Sequence, residues 1–411
     1  MVAQASVRLV FVARRYWPAI GGVESFMRDI ARELATCHEI TVLAQRIDNG
    51  PTTRLSDSLA PPPTFEPFDD GPVHVQPLRI PNSRRVLLLP LLSQVVPGLR
   101  RYAYGRTRLA AAFLYGRTVG GVLAGSLHGA DAVHMWGGDM LAAAVIHAAR
   151  LKGIPVAITP FAHRDQWGDD LASAAVYRNA HKVIGLLDAD TNLYRELGVP
   201  QERLAVSGIC SRGLQPGGGC AMRVRYKVKG PLVLYLGVRR PYKGFDLLVE
   251  AAGHMPSARL GADVTFAFVG PGPKLRATGA KCRILDVGAV SDEERAAWVD
   301  AADLLCLPSR GEIFPAAILE AWSLGKPVLT SDIPPLQELV DRSGGGIAVP
   351  RTPEALAKAI IGLLSEPRRL HAMGEAGRAF WAARHTVDAV ASWHERLYAS
   401  LAALEVAPCA K

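Results

Sequence analysis

Two carboxylates, Glu312 and Glu320, stand eight positions apart in the stretch Pro308-Ser309-Arg310-Gly311-Glu312-Ile313-Phe314-Pro315-Ala316-Ala317-Ile318-Leu319-Glu320-Ala321. The apolar run Leu304–Leu307 before it reads as a buried strand, so the stretch falls at the carboxyl end of a parallel sheet, where open α/β folds hold ligands. Glu312 lies in the turn. Pro315 suits the first position of a helix, where its missing N–H costs nothing, and Glu320 then falls about one and a half turns in. Carboxylates accept hydrogen bonds from vicinal hydroxyls, and a helix N-terminus beside them favours a phosphate. A second stretch, Gly237-Val238-Arg239-Arg240-Pro241-Tyr242-Lys243-Gly244, brings three cations to the start of another helix. Cations there oppose the helix dipole unless an anion lies between them. A hydroxyl-rich ligand and an anion are thus both expected in one half of the chain.

Two histidines compete for a reaction centre. His134 closes the strand Ala132–Met135 and is followed by Trp136 and a Gly-Gly turn; His163 follows the strand Val156–Thr159, with Asp165 two residues on. Both sit at strand ends. His134, Trp136 and Asp165 are the candidates for meeting an acceptor molecule.

The elements that must carry these groups alternate regularly. Val7–Ala13 is a continuous apolar run of the kind a strand buried on both faces shows. A turn with Gly21-Gly22, a helix over 25–34 and a strand over 39–44 follow, which makes a βαβ unit. Further strands are expected at 74–78, 183–186 and 204–206. The pattern restarts with strands at 232–236, 264–269, 283–287, 304–307 and 327–330, and residues 353–404 read as helical throughout. A chain of 411 residues exceeds a single core, so two doubly wound α/β domains are expected: residues 1–208 and 231–380, with the Gly-rich 209–230 as a linker.

The charge of +9 comes mostly from arginine, yet no basic run or RNA-binding signature favours nucleic acid. Six scattered cysteines show neither a disulfide framework nor zinc-ligand spacing. No uncharged apolar stretch reaches the roughly 18 residues that span a bilayer, and the opening run is too short for a signal peptide; a cytoplasmic location is expected. Between Arg84 and Ala130 there are seven arginines and no acid. That segment, Arg84 to Arg117 above all, suits a peripheral contact with the inner face of an anionic membrane, a core helix or a phosphorylated acceptor.

The Glu312–Glu320 stretch resembles the Glu-x7-Glu motif of the retaining glycosyltransferase family 4, the glycosyl transferases group 1. The resemblance implies the GT-B fold, two Rossmann-like doubly wound domains facing a central cleft, with residues 381–411 forming a helix that packs back on the first domain. It implies a hexosyltransferase that needs no metal or cofactor beyond a nucleotide-sugar donor, UDP- or GDP-linked, and that passes the sugar to an acceptor hydroxyl by a front-face mechanism. Glu312, with Ile313 and Phe314, would hold the donor sugar and Glu320 the ribose. Lys243 would grip the diphosphate with Arg239 or Arg240, since the arginine that usually follows Gly237 is Val238 here. Gly21 and Gly22 resemble the family's glycine loop, and Gly270 and Val290 lie in segments that resemble those shaping the nucleotide pocket. His163 occupies the loop where family members often carry a histidine near the donor sugar. Phe314-Pro315 departs from the usual Phe-Gly. A nucleotide-sugar epimerase of the same fold, or a non-catalytic sugar-nucleotide binder, stands as the alternative.

Overall fold

The computed structural model describes residues 6–19, 21–49, 65–79, 106–164, 167–255, 264–275 and 282–406. The chain divides into two compact units, Met1–Gly208 with Val387–Lys411, and Ile209–Thr386.

In the first unit the strands are β1 (Arg8–Arg15), β2 (Glu39–Arg46), β3 (Phe68–Asp70), β4 (Val73–Pro77), β5 (Ala132–Trp136), β6 (Val156–Thr159), β7 (Lys182–Gly185) and β8 (Leu204–Val206). They form one sheet in the order β3-β4-β2-β1-β5-β6-β7-β8. Every pairing is parallel except β3 with β4. The order reverses between β1 and β5, which puts Gly21-Gly22 beyond one strand and Gly137-Gly138 beyond the other. β3 escapes the sequence reading because it has three residues, two of them acidic. It is held by Asp70, which is buried and takes hydrogen bonds from Tyr16, Arg28 and Arg32. Helix α1 (Gly22–Leu34) follows β1, and α2 (Arg106–Ser126) packs along α3 (Met140–Lys152). Asp139 caps α3 through the Leu141 N–H.

The second unit holds β9 (Leu232–Leu236), β10 (Thr265–Val269), β11 (Arg283–Gly288), β12 (Leu304–Leu307), β13 (Val328–Ser331) and β14 (Gly346–Val349), all parallel. Their order is β11-β10-β9-β12-β13-β14, the doubly wound Rossmann arrangement, with its reversal between β9 and β12. β9, β10 and β12 are buried at every residue, as strands covered by helices on both faces must be. Of the sites read from the sequence, Lys243 stands in the loop beyond β9 and Glu312 in the loop beyond β12.

Three boundaries differ from expectation. The segment expected as a linker, 209–230, is part of the second unit: it contains the helix Gly219–Arg225, and the Gly217 and Gly219 N–H groups both donate to Asp300. The C-terminal helical run breaks twice, after Leu364 and after Arg384, giving helices Pro353–Leu364, Pro367–Arg384 and Val387–Ala402. The last helix therefore starts at 387, not 381, and it packs on α1 and β5 of the first unit. Among the described residues no helix is long and apolar enough to cross a membrane. Arg84, Arg85, Arg100 and Arg101 lie outside the described residues.

Candidate active site

The loop after β9 begins at Gly237 and closes in a single helical turn, Pro241–Lys243, before the helix Phe245–Gly253. Gly244 between them has φ +69, and a Cβ there would collide with the Pro308 carbonyl. The backbone of this loop thus lies against the start of the loop after β12. Two further contacts join them. The Arg310 N–H donates to the Tyr242 carbonyl at 2.7 Å, and the Arg310 guanidinium meets Asp246 in two hydrogen bonds of 2.8 and 2.7 Å. Burial opposes ionisation of Asp246, but Arg310 offsets it and brings the carboxyl below its ordinary range.

That junction brings Lys243 and Glu312 together. The ammonium donates to both carboxylate oxygens, at 2.6 and 2.8 Å, and the fully buried Ser309 donates to one of them at 2.9 Å. The Glu312 side chain is only 7% exposed and the Lys243 side chain 23%, so solvent screens the pair weakly. Glu320 is not part of this cluster. It lies in the helix Ala316–Ser323 and pairs with Arg295 at 3.1 Å. Burial raises its pKa; Arg295 opposes the shift and Asp292 adds to it. Pro315 is the residue before the helix rather than its first member. Ile313 is half-buried, and Phe314 is buried against His385 with ring centroids 5.3 Å apart.

Arg239 and Arg240, left equivalent by the sequence, differ sharply. Arg239 is 5% exposed and forms an ion pair with Asp286 on β11. Burial opposes ionisation of that carboxyl, but the Leu275 N–H and the Arg239 guanidinium bring it below its ordinary range. Arg239 therefore ties the loops after β9 and β10 to the sheet. Arg240 is exposed. Gly270, with φ +132, sits where a Cβ would strike the Gly237 carbonyl, so these two loops also touch through backbone alone. Val290 is half-buried, one residue before Ser291, whose hydroxyl caps the helix Asp292–Ala301.

In the first unit, Gly21 precedes α1, and a Cβ at Gly22 would meet nothing within 4 Å. His163 is half-buried in a loop closed by paired hydrogen bonds with Trp167, of 2.9 and 3.1 Å. Phe161, two residues earlier, has φ +53, a left-handed conformation uncommon for an aromatic residue. Asp165 lies outside the described residues. His134 and Trp136 are a correction: both are interior. His134 is 1% exposed, paired with the Tyr398 hydroxyl at 2.5 Å and the Thr159 hydroxyl at 2.8 Å, and Trp136 lies 4.4 Å from it. β5 is buried at every residue, with the last helix supplying Tyr398 and His394 above it. Burial, aided by His394, pushes the His134 pKa well below its ordinary value. Neither side chain is open to solvent.

Site-building residues missed by the sequence reading are Ser309, Asp246, Asp286 and Arg295. Ser309 is three residues from Glu312 and Asp246 three from Lys243, so both could have been found. Asp286 and Arg295 come from other segments and carry no local signal.

Two mainly parallel α/β units, one of them in strict Rossmann order with an acid–cation cluster at its reversal, define a protein of the GT-B fold. Solved structures agree on the fold: HepE of Anabaena, in complex with UDP, superposes with a TM-score of 0.70 at 18% identity, covering 96% of this chain and 100% of that one. A sucrose-phosphate synthase of Thermosynechococcus elongatus follows with a TM-score of 0.67 at 17% identity, covering 96% and 99%. The chain belongs to the group 1 glycosyltransferases. Two family models match it, the glycosyl transferase 4-like domain over residues 21–209 and glycosyl transferases group 1 over residues 230–366, well over half of the chain between them. Among named relatives, the alpha-D-kanosaminyltransferase of Streptomyces kanamyceticus is 32% identical over 178 residues, which is 41% of this chain and 45% of the relative. The D-rhamnosyltransferase WbpZ of Pseudomonas aeruginosa is 27% identical over 213 residues, 48% and 54%. The chain thus spans about half the length of the curated relatives it matches.

Proposed function

We propose that this protein is a retaining, metal-independent glycosyltransferase that moves a hexose-type sugar from a UDP- or GDP-linked donor to an acceptor hydroxyl. The Lys243–Glu312–Ser309 cluster at the strand-order reversal of the second unit carries the reading. Glu312 accepts hydrogen bonds from sugar hydroxyls. Lys243 and the exposed Arg240 supply charge for a diphosphate, and Glu320 takes the ribose. On the other unit, Gly22 leaves room for backbone to approach the diphosphate, and His163 is assigned to the donor sugar. The acceptor oxygen bonds to the anomeric carbon as the bond to the phosphate oxygen breaks, and the hydroxyl proton passes to that departing oxygen on the same face. The chain positions the reactants and stabilises the leaving charge. The relatives' names, kanosaminyl- and rhamnosyltransferase, support sugar transfer, and the complexes of HepE with UDP and UDP-glucose support this type of donor.

A thermal-shift panel of UDP, GDP and their sugars tests the reading. A ligand at about 100 times its Kd adds about 2.7 kcal/mol of stability, so the true donor raises Tm measurably. No shift from any of them at millimolar concentration refutes the assignment. The same assay separates the two arginines. Arg240→Ala is expected to weaken nucleoside diphosphate binding roughly tenfold, one charge-assisted contact being lost. Arg239→Ala is expected instead to cost about 1–3 kcal/mol of stability by leaving Asp286 without its cation. Unaltered binding by Arg240→Ala would return the role to Arg239.

A cytoplasmic location with peripheral contact to an anionic membrane belongs to the same proposal. Phe113, 64% exposed, stands beside Arg117 on α2, at the end of the basic segment. Arg84→Glu with Arg85→Glu should reduce flotation with anionic vesicles; absence of flotation by the native protein ends the idea.

A further inference from the structure

His385 is a buried imidazole in none of the roles above. It follows the helix Pro367–Arg384 and lies two residues before the chain leaves the second unit at Val387; Ile209 is the residue at which the chain enters it. The His385 Nδ1 donates to the Ile209 carbonyl at 2.8 Å, and the Ser211 N–H donates to the His385 carbonyl at 2.9 Å. Entering and leaving segments are thus tied by one residue, and because a carbonyl only accepts, Nδ1 must carry the proton.

The ring also packs against aromatic side chains. One aromatic neighbour is Phe314, at 5.3 Å, two residues beyond Glu312; another is Phe380, at 5.1 Å, which meets Trp322 edge-on at 5.8 Å on the helix of Glu320. Glu312 is fixed at its carboxylate by Lys243 and Ser309, but the loop that carries it has no regular structure between Leu307 and Ala316. Its backing is Phe314, itself buried, resting on His385.

We propose that His385 is a positioning residue of the sugar-binding loop: through Phe314 it sets the place of Glu312, while its Nδ1 bond to the Ile209 carbonyl holds the ring in orientation. It acts without touching the donor. Histidine suits the task because it offers a ring to pack against and an N–H donor while staying neutral. Burial pushes its pKa down to about 4, with the Ile209 bond opposing and Arg342 and Arg384 adding. Phenylalanine would keep the ring without the donor; asparagine would keep a donor without the ring. Displacements of an ångström in such loops cost about 100-fold in rate, so a group that only backs the loop can govern turnover.

The inference rests on the donor-site reading, and the experiment separates the two. The full chain is assayed for UDP and GDP binding by calorimetry and for nucleoside diphosphate release from UDP-glucose or GDP-mannose, whichever shifts its melting. Failure of the native protein to bind either diphosphate overturns the donor site itself. With binding established, His385→Asn is expected to lower kcat about 10–100-fold, with diphosphate affinity changed less than about twofold, and His385→Phe is expected to recover most of the loss. Phe314→Leu, made with His385 intact, should reproduce the kcat loss, and the double variant should be no worse than either single one. Native kcat in His385→Asn, additive losses in the double variant, or parallel loss of kcat, diphosphate affinity and Tm without rescue by phenylalanine would overturn the role. If His385→Asn does not fold, the Phe314→Leu and His385→Phe results decide it alone.

Discussion

Lys243→Met is expected to reduce kcat/KM for sugar transfer by at least about 1,000-fold. Two losses combine. The leaving diphosphate loses a cation aimed at its developing charge, and removal of one such stabilising donor costs roughly 100–1,000-fold. Glu312 also loses the ammonium that both of its oxygens contact, at 2.6 and 2.8 Å. With the Glu312 side chain 7% exposed, breaking the pair from one side leaves a buried charge whose penalty runs to about 3–5 kcal/mol. Ser309 still donates to it, so the lower end applies, and Tm should fall by several degrees while the fold persists. Nucleoside diphosphate release and circular-dichroism melting measure the two effects separately. Transfer within tenfold of native would remove Lys243 from the chemistry.

How much of this was legible in the sequence depends on the distance over which each feature is determined. The strands of the second unit are buried on both faces, so they read as unbroken apolar runs, and β9 and β12 fall at 232–236 and 304–307 as expected. Lys243 and Glu312, just beyond those strands, were legible with them, because strand order is all that is needed to bring the two loops together. β14 was not legible: it starts within Gly344-Gly345-Gly346 and is intermediate in burial throughout. Of the two breaks in the C-terminal helical run, the first falls at Pro367 and could have been read there. The second, at His385, was hidden, and the partner of its ring is a carbonyl 176 residues away. Arg239 and Arg240 could not be separated, since what buries the first is Asp286, 47 residues on. His134 failed for the same reason. A strand end is an opening only if nothing covers it, and its cover, Tyr398, comes from 264 residues downstream. Local periodicity reports that a residue faces inward or outward on its own element, and it is silent about which distant element arrives to meet it.

Glu312→Gln is expected to abolish transfer yet tighten the binding of UDP or GDP alone, an opposite pair of effects that follows from the pairing of Lys243 with Glu312. Both oxygens of Glu312 engage the Lys243 ammonium. A diphosphate arriving without its sugar must compete with that carboxylate, and at an effective dielectric near 20 two unit charges about 4 Å apart interact by about 4 kcal/mol. Only part of this survives desolvation, so release of the ammonium should strengthen diphosphate binding by roughly five- to tenfold, or about 1–1.4 kcal/mol. A sugar-linked donor reverses the balance. Its hydroxyls give Glu312 new hydrogen bonds in exchange for the ammonium, and the neutral amide of glutamine accepts these more weakly than a carboxylate does. The same exchange works against the product: once the sugar has left, Glu312 again competes for Lys243 and loosens the remaining diphosphate. Calorimetric titration of native and Glu312→Gln protein with UDP and with GDP reads the sign directly. Equal or weaker binding by the variant would mean that the Lys243–Glu312 pair does not oppose the diphosphate, and that Lys243 meets its anion with Glu312 still attached.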